Sequence, residues 1–447
     1  MGKLDLHPNV IAVRHRADEG HAVVTPGALD AGWLRSLCLK LGADDVGFVE
    51  LDRPELTEER EHIAAAFPRP HSAISFVCKL NREAIRTPAR SHGALEYHHG
   101  VDHTNEVARR VVAELESIGV RAFNGSVGFP MEMDEWPARI WVVSHKPIAE
   151  AAGLGRMGIH RNVIHPRFGN FISLGTVIVD VPISEYSRPL DYNPCLECKL
   201  CVAACPTGAI NPDGRFDFSA CYTHNYRTFL GGFSDWVENV VESADAKEYR
   251  GKVSDSETVS MWQALTNGSA YRAAYCVSAC PAGEDVLGPF LESRKAHLND
   301  VVRPLQAKVE TVYVVAGSDA EAYVQRRFPH KQAKRVGNGL RPRTVDVFAL
   351  ALPLIFQREA SRGVDAVYHL NFTGAEQRSL TVVIRDAQLS VREGHHDTPD
   401  LLIRADTATW FGFLAGERSL VAALLLRRIR LRGSPRLLLA FGRCFPR

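Results

Sequence analysis

No run of about eighteen apolar residues occurs in the 447-residue sequence, so no membrane span is expected. The opening Met1-Gly2-Lys3-Leu4-Asp5 has no apolar core and no twin-arginine signal is present, which argues against export and predicts a cytoplasmic protein. Charge of one sign is lacking too. With 53 Lys and Arg against 52 Asp and Glu, the net charge is +1, so no nucleic acid or membrane partner is expected from global charge. There is no low-complexity tract, and no repeat beyond two cysteine half-motifs. The 45% hydrophobic and 23% charged composition is that of ordinary globular protein. Since one core rarely outgrows about 250–300 residues, two or three domains are expected.

Against these absences stands one specific run. Cys195, Cys198, Cys201 and Cys205, followed by Pro206, spell C-x2-C-x2-C-x3-C-P. Three thiolates on a tight loop suit three corners of an iron–sulfur cube, while the fourth cysteine of such a run ligates a second cluster. Zinc is the rival reading, with a disulfide framework behind it. Structural zinc, however, prefers two separated Cys/His pairs to four cysteines within eleven residues. Thiolates held for metal suit a reducing compartment.

Downstream, Cys276 and Cys280-Pro281 give C-x3-C-P, and Cys221 lies between the motifs. Cross-ligation assigns Cys195, Cys198, Cys201 and Cys280 to one cluster, and Cys205, Cys221 and Cys276 to the other. The second set is one ligand short, because Ala273 stands where the full motif places a cysteine. That leaves a 4Fe-4S cluster with another ligand, His224 being the nearest candidate, or a 3Fe-4S form. Alternatively, Cys221 and Cys276 are buried structural thiols. Cys38, Cys78 and Cys444 are isolated and read as apolar fillers.

Periodicity predicts a helix from Gly27-Ala28-Leu29 to Lys40, a buried strand over 73–79 and an amphipathic helix over 105–118. Strands are expected at 139–144 and 173–181, and a helical insert over 227–270. A strand at 311–315 and a short helix to Arg327 precede a Gly- and Arg-rich linker ending at Arg343. From 344 the pattern changes: a helix at 345–358, strands near 367–372, 380–385, 389–392 and 399–404, helices at 407–415 and 420–426, then a basic strand at 428–431. The fold class is therefore mixed α/β, an α+β organisation in four parts: 1–185 for cofactor and substrate, 186–300 for the clusters, 301–343 as linker, and 344–447 as a separate α+β domain.

Gly153-Leu-Gly155-Arg-Met-Gly158 spells G-x-G-x-x-G, with Asp180 at a suggestive distance. A dinucleotide fold needs a strand before these glycines and a helix after them. Pro147-Ile-Ala-Glu-Ala-Ala reads as helix, and His165-Pro166 breaks whatever follows. The loop reads instead as a place where backbone closely approaches a cofactor or another segment.

With the cysteine run, the Ala152–Gly158 loop and Pro166-Arg-Phe-Gly169, the chain resembles the epoxyqueuosine reductase and reductive dehalogenase superfamily over roughly residues 30–300. Gly100-Val-Asp102-His103 is similar to a stretch ahead of the amphipathic helix in those reductases. The resemblance implies a nitroreductase-like core joined to a bacterial ferredoxin-like module with two 4Fe-4S clusters. It further implies cobalamin facing Gly153, Gly155 and Gly158, with electrons passing singly to cobalt. The chain departs from the pattern where the proton-donating aspartate would fall, at Val143 or Ser144, and at Ala273. His145 is the best stand-in acid, with Asp102 and His103 as further catalytic candidates, while His98 and His99 read as loop histidines. His160, Arg161 and His165 could meet an anion, or simply lie in solvent.

The last hundred residues resemble the sterol carrier protein family, through Pro399-Asp400, Leu414-Ala415-Gly416 and Ile429-Arg430-Leu431-Arg432-Gly433-Ser434. That implies an apolar tunnel for acyl chains or sterols, or a docking module that has kept the fold alone. Arg427 to Arg436 read as one exposed strand face, and Arg326, Arg327, Lys331, Lys334 and Arg335 as a solvated linker face.

The expected function is an iron–sulfur oxidoreductase taking electrons from a ferredoxin or flavodoxin and reducing a small, apolar substrate. The alternatives are a non-catalytic electron carrier, and a lipid-binding protein whose clusters are structural or sense oxidants.

Overall fold

The computed structural model describes residues 2–19, 25–134 and 136–446. Its first sheet contains β1 (Asp45–Glu50), β2 (Ser72–Lys79), β3 (Ala122–Asn124) and β4 (Ile172–Val179), in the order β1-β2-β4-β3, all antiparallel. β2 is central and buried at every position but Lys79, as its apolar run requires. One face packs Val46, Phe48, Ile74, Phe76 and Val177 against Leu34 and Cys38 of the helix Ala31–Lys40 and Val107, Val111 and Leu115 of the helix Arg90–Ser117. The other face packs Val49, Ala73 and Ile178 against Ile63, Ile148 and Ala151. The sheet is thus the middle layer of three, a mixed α+β core.

Two expectations fail here for visible reasons. The helix expected at 105–118 starts at Arg90, so His98, His99, Asp102 and His103 ride on its earlier turns rather than in a loop. The segment 139–144 is not a strand. Arg139 is held by Glu59 (3.1 Å from Nη1), and Ile140 and Val143 are buried without strand pairing.

The insert forms helices Gly231–Glu242, Ala246–Lys252 and Asp255–Asn267. β5 (Thr311–Val314) and β6 (Gln332–Arg335) then pair in parallel through the helix Asp319–Arg327. The supposed linker face is therefore structured. Lys331 is 4% exposed, and its ammonium donates to Leu305 O, Lys308 O and Glu310 Oε1 (2.7 Å). Lys334 pairs with buried Glu257 at 2.5 Å. Glu257 also accepts from Arg227, which bonds Asp235 as well.

The C-terminal sheet joins β7 (Ala366–Thr373), β8 (Ser379–Arg385), β9 (Gln388–Glu393), β10 (Leu401–Asp406) and β11 (Ile429–Gly433) in the order β9-β8-β7-β10-β11. Only β7 and β10 run parallel. Helices Val345–Ile355, Thr407–Leu414 and Pro435–Cys444 supply Phe348, Trp410 and Phe441 to a core shared with Tyr368 and Phe372. Along β11, Ile429 is buried while Arg430 and Arg432 are exposed, the alternation expected of that basic strand. Among the described residues, no helix is long and apolar enough to cross a membrane.

Candidate redox centre

Both half-motifs are built alike. Lys199 and Ala274 adopt left-handed backbone (φ 60° and 52°), each opens a short helix (Leu200–Ala204 and Tyr275–Ser278), and each helix runs into Cys-Pro. Glu197 is left-handed as well, so the chain curls back twice between Cys195 and Cys201. Asn193 Oδ1 accepts from the Cys195 amide (2.9 Å) and starts that curl.

The structure brings the seven thiols into two adjoining groups. Cys195, Cys198, Cys201 and Cys280 line one small cavity, with Pro281 and Ala282 on its wall. Cys198 is exposed, so this outer set reaches the surface. Cys205, Cys221 and Cys276 pack in a core with Val312, Val314 and Val324, and Cys201 reaches that core as well. Burial raises the pKa of each inner thiol whose shift is resolved, Cys276 to about 12, and neighbouring thiols push the same way. Among the described residues, no three His, Cys, Asp or Glu side chains are close enough to hold one metal ion. A single tetrahedral zinc would bring its sulfurs within about 3.8 Å of one another. The donor set, four cysteine sulfurs lining one cavity, is the set a cluster takes. Cys38 and Cys78 lie in the first core and Cys444 in the C-terminal core, far from either set.

His224 turns away from the inner thiols. Its Nδ1 accepts from Tyr313 N–H (3.3 Å), its ring stacks on Tyr313, and its charged neighbours are Glu310, Arg272, Lys331 and Lys308. A cation whose charge is felt at Cys221 and Cys276 is Lys146, which sequence reasoning missed. Its ammonium donates to Arg161 O (2.7 Å) and Asn162 Oδ1 (3.3 Å). The side chain is exposed yet crowded by protein, and that crowding lowers its pKa. Tyr97 packs beside Cys276 with its hydroxyl buried and unpaired. Tyr271 meets Tyr97 edge-on (5.5 Å) and continues to Tyr226 (5.7 Å) and Phe229.

The other predicted site residues are engaged elsewhere. His145 Nε2 faces Ser126 O (3.0 Å), so it carries the proton, and Nδ1 accepts from Thr176 Oγ1 (2.9 Å). That proton is committed to structure. Asp102 and His103 are exposed, and His103 bonds Gly42 O. Ser144, at the position of the lost aspartate, donates its amide to Glu59, a carboxylate already paired with Arg139.

The glycine loop follows the helix His145–Ala151 and leads into a two-residue ladder, Arg156–Met157 against Val163–Ile164, so it is not a dinucleotide turn. The chain itself occupies the space beside each glycine. A Cβ on Gly153 would meet Arg188 O at 2.4 Å, one on Gly155 would meet Ile164 O at 2.5 Å, and one on Gly158 would meet Ile164 Cδ1 at 2.7 Å. The close approach expected at these glycines is thus, on their Cβ side, an approach to another segment of the chain. Gly155→Ala is expected to destabilise the protein by about 1–3 kcal/mol through overpacking, read as a lower urea midpoint.

His160 Nδ1 accepts from the Asn162 amide, its Nε2 lies against the Asn170 side-chain amide, and burial lowers its pKa to about 4. It stays neutral in the fold while an unfolded histidine protonates below its ordinary value, so stability is present above that value and is lost as pH falls toward 4. His224, lowered to about 3 by burial, acts the same way. Each is expected to cost on the order of 3 kcal/mol across this window. Acid titration of His224→Gln against the parent should show a shallower loss.

Residues 189–211 match the 4Fe-4S binding domain and residues 354–446 the SCP-2 sterol transfer family. The epoxyqueuosine reductase of Aliivibrio fischeri is 29% identical over 119 residues, covering 27% of this chain and 28% of the relative. That of Listeria monocytogenes is 26% identical over 201 residues, 44% of this chain and 50% of the relative. This chain is similar to the epoxyqueuosine reductases. It spans half or less of the length of these relatives. An epoxyqueuosine reductase solved with an epoxyqueuosine-modified tRNA stem loop aligns at 18% identity and TM-score 0.31, covering 43% of this chain and 56% of that one. A catabolic reductive dehalogenase solved with 3-bromo-4-hydroxybenzoic acid aligns at 17% and TM-score 0.37, covering 60% and 35%. The expectation of no nucleic-acid partner is corrected by these relatives, one of which is held on a tRNA stem loop. Net charge was a poor guide because it averages over the whole surface.

Proposed function

We propose that the protein is a cytoplasmic iron–sulfur reductase that takes electrons at its outer cysteine set and delivers them to a substrate held beside the inner set. The observation that carries this is the difference in exposure at the two ends: Cys198 is exposed beside Leu196, whereas Cys205 is buried and Cys221 and Cys276 are half-buried near Tyr97, Tyr226 and Tyr271. Clusters at these positions supply a path for single electrons at potentials that their surroundings tune. Exposed Leu196 and Cys198 present the entry point to a ferredoxin or flavodoxin. The tyrosine rings exclude water and stack an apolar or aromatic substrate. Lys146, with its pKa lowered and its ammonium fixed by two carbonyl oxygens, holds the proton that a reduction consumes.

The C-terminal part supports a small apolar substrate. A cavity of about 600 Å³, lined by Phe348, Leu352, Trp410, Phe413 and Phe441, is closed on one side by Leu340, Arg341 and Pro342. The similarity to epoxyqueuosine reductases favours a second reading, in which the substrate is a modified nucleoside in tRNA. The test is to reduce the anaerobic protein with reduced flavodoxin, follow the visible spectrum, and add substrate. Re-oxidation by epoxyqueuosine-bearing tRNA with queuosine formed selects the second reading. Re-oxidation by a co-purifying apolar molecule selects the first. A protein that flavodoxin and ferredoxin leave oxidised overturns both.

A further inference from the structure

Cys205, Cys221 and Cys276 share a core into which Cys201 of the outer set also packs, and neither residue considered as a fourth inner ligand, Ala273 or His224, is directed toward them. Ala273, where the repeat would require a sulfur, buries its methyl among Ala204, Tyr275, Ala279, Val302 and Leu305. His224 points to the opposite side of its helix, toward Tyr313 and Glu310. The charge of Lys146 is felt at Cys221 and Cys276, but an ammonium donating to Arg161 O and Asn162 Oδ1 has no lone pair to offer a metal. The Tyr97 hydroxyl is buried beside Cys276 without a partner, a polar group aimed into an otherwise apolar wall.

We infer that Cys205, Cys221 and Cys276 hold their cluster by three thiolates only, leaving one iron on the side of Lys146 for an exchangeable anionic ligand that Lys146 and Tyr97 receive. The inference rests on the two-cluster reading proposed above and adds to it a binding site for a small oxyanion or carboxylate. Charge supports that ligand class. Lys146 is a cation whose charge is felt at Cys221 and Cys276, and an anion arriving there would exchange water for an ammonium and a phenol, both donors.

An iron without a protein sulfur is also the iron that leaves first. Ferricyanide takes one electron from the cube, Fe2+ departs, and a three-iron cluster with its own paramagnetic signal remains. Added Fe2+ and a reductant reverse the change. The full chain, reconstituted anaerobically, should therefore carry about eight irons, release one on oxidation, and regain it. In the reduced state, 13C-labelled cyanide should bind the open iron and give a carbon coupling by electron–nuclear double resonance.

Lys146→Met provides the mutational arm. It leaves the three thiolates in place, and cyanide should bind at least about tenfold more weakly, since a charge-assisted partner is lost. Eight irons with no release and no cyanide coupling would overturn the open corner and leave the two-cluster reading standing. Four irons and four sulfides per chain would overturn both.

Discussion

Cys280→Ala is expected to remove about half of the bound iron, roughly four atoms of eight, and to stop reduction of the remaining cluster by a protein donor. The effect follows from where Cys280 sits. Cys195, Cys198 and Cys201 share one strongly curled loop, with Cys198 exposed, Cys195 half-buried and Cys201 buried, so the set is open to solvent at Cys198. Cys280, 7% exposed, comes from the second half-motif and closes the set with Pro281 and Ala282 behind it. With Cys198 exposed, the three remaining outer thiolates lose iron to water and chelators, whereas the inner three pack beside Val312 and Val314, with no exposed member. Dithionite, being small, should still bleach the inner cluster of the variant, while flavodoxin or ferredoxin should not. Iron and sulfide analysis, with the two reductants compared, distinguishes these outcomes. A wild-type iron content would mean that Cys280 is no ligand. Cys38→Ala, made in the first core, serves as the control and should leave iron unchanged.

Much of this centre was legible in the sequence because its chemistry is local. A tight C-x2-C-x2-C-x3-C-P run has few uses, and cross-ligation paired Cys280 with the first loop before any fold was known. Lys146 was not legible. In Ser144-His145-Lys146-Pro147, titration near neutrality singles out histidine, but neighbours choose the residue whose charge is felt at the inner thiols. The Thr176 hydroxyl and Ser126 carbonyl draw His145 toward the sheet, and Lys146 is left on the other side. The one available signal was Pro147, which places Lys146 in the first turn of a helix leading to the glycine loop. The glycines misled for a related reason: a glycine required by Arg188 O or Ile164 O looks, in sequence, like one required by a cofactor. The basic run 326–335 misled because long cationic side chains usually sit in solvent. Lys331 and Lys334 instead satisfy buried acids contributed from outside that run.

Those buried acids set the second large effect. Arg227→Met is expected to destabilise the protein by about 3–5 kcal/mol, because it removes one cation from between two buried carboxylates. Arg227 is 1% exposed, with Asp235 at 2.5 Å, Glu257 at 2.7 Å and the Tyr313 ring 5.1 Å below its guanidinium. Asp235 also accepts from the Gly337 amide (2.8 Å), and Glu257 from Lys334, so the same two acids tie the helical insert to β6 and the segment after it. Lysine should not rescue, since one ammonium cannot span both carboxylates as a guanidinium fork does. Relieving the stranded charge should: Arg227→Met combined with Asp235→Asn is expected to lose less than the sum of the single changes, as coupled partners do. Urea unfolding followed through Trp236, which lies on the helix carrying Asp235, reads this directly. The consequence reaches the redox centre, because Tyr226 precedes Arg227 and stacks between Phe229 and Tyr271. If the wall beside Cys221 depends on that anchor, Arg227→Met should raise the rate at which ferricyanide strips iron from the inner set at urea concentrations well below unfolding. An unchanged stripping rate with a lowered midpoint would confine Arg227 to holding the insert in place.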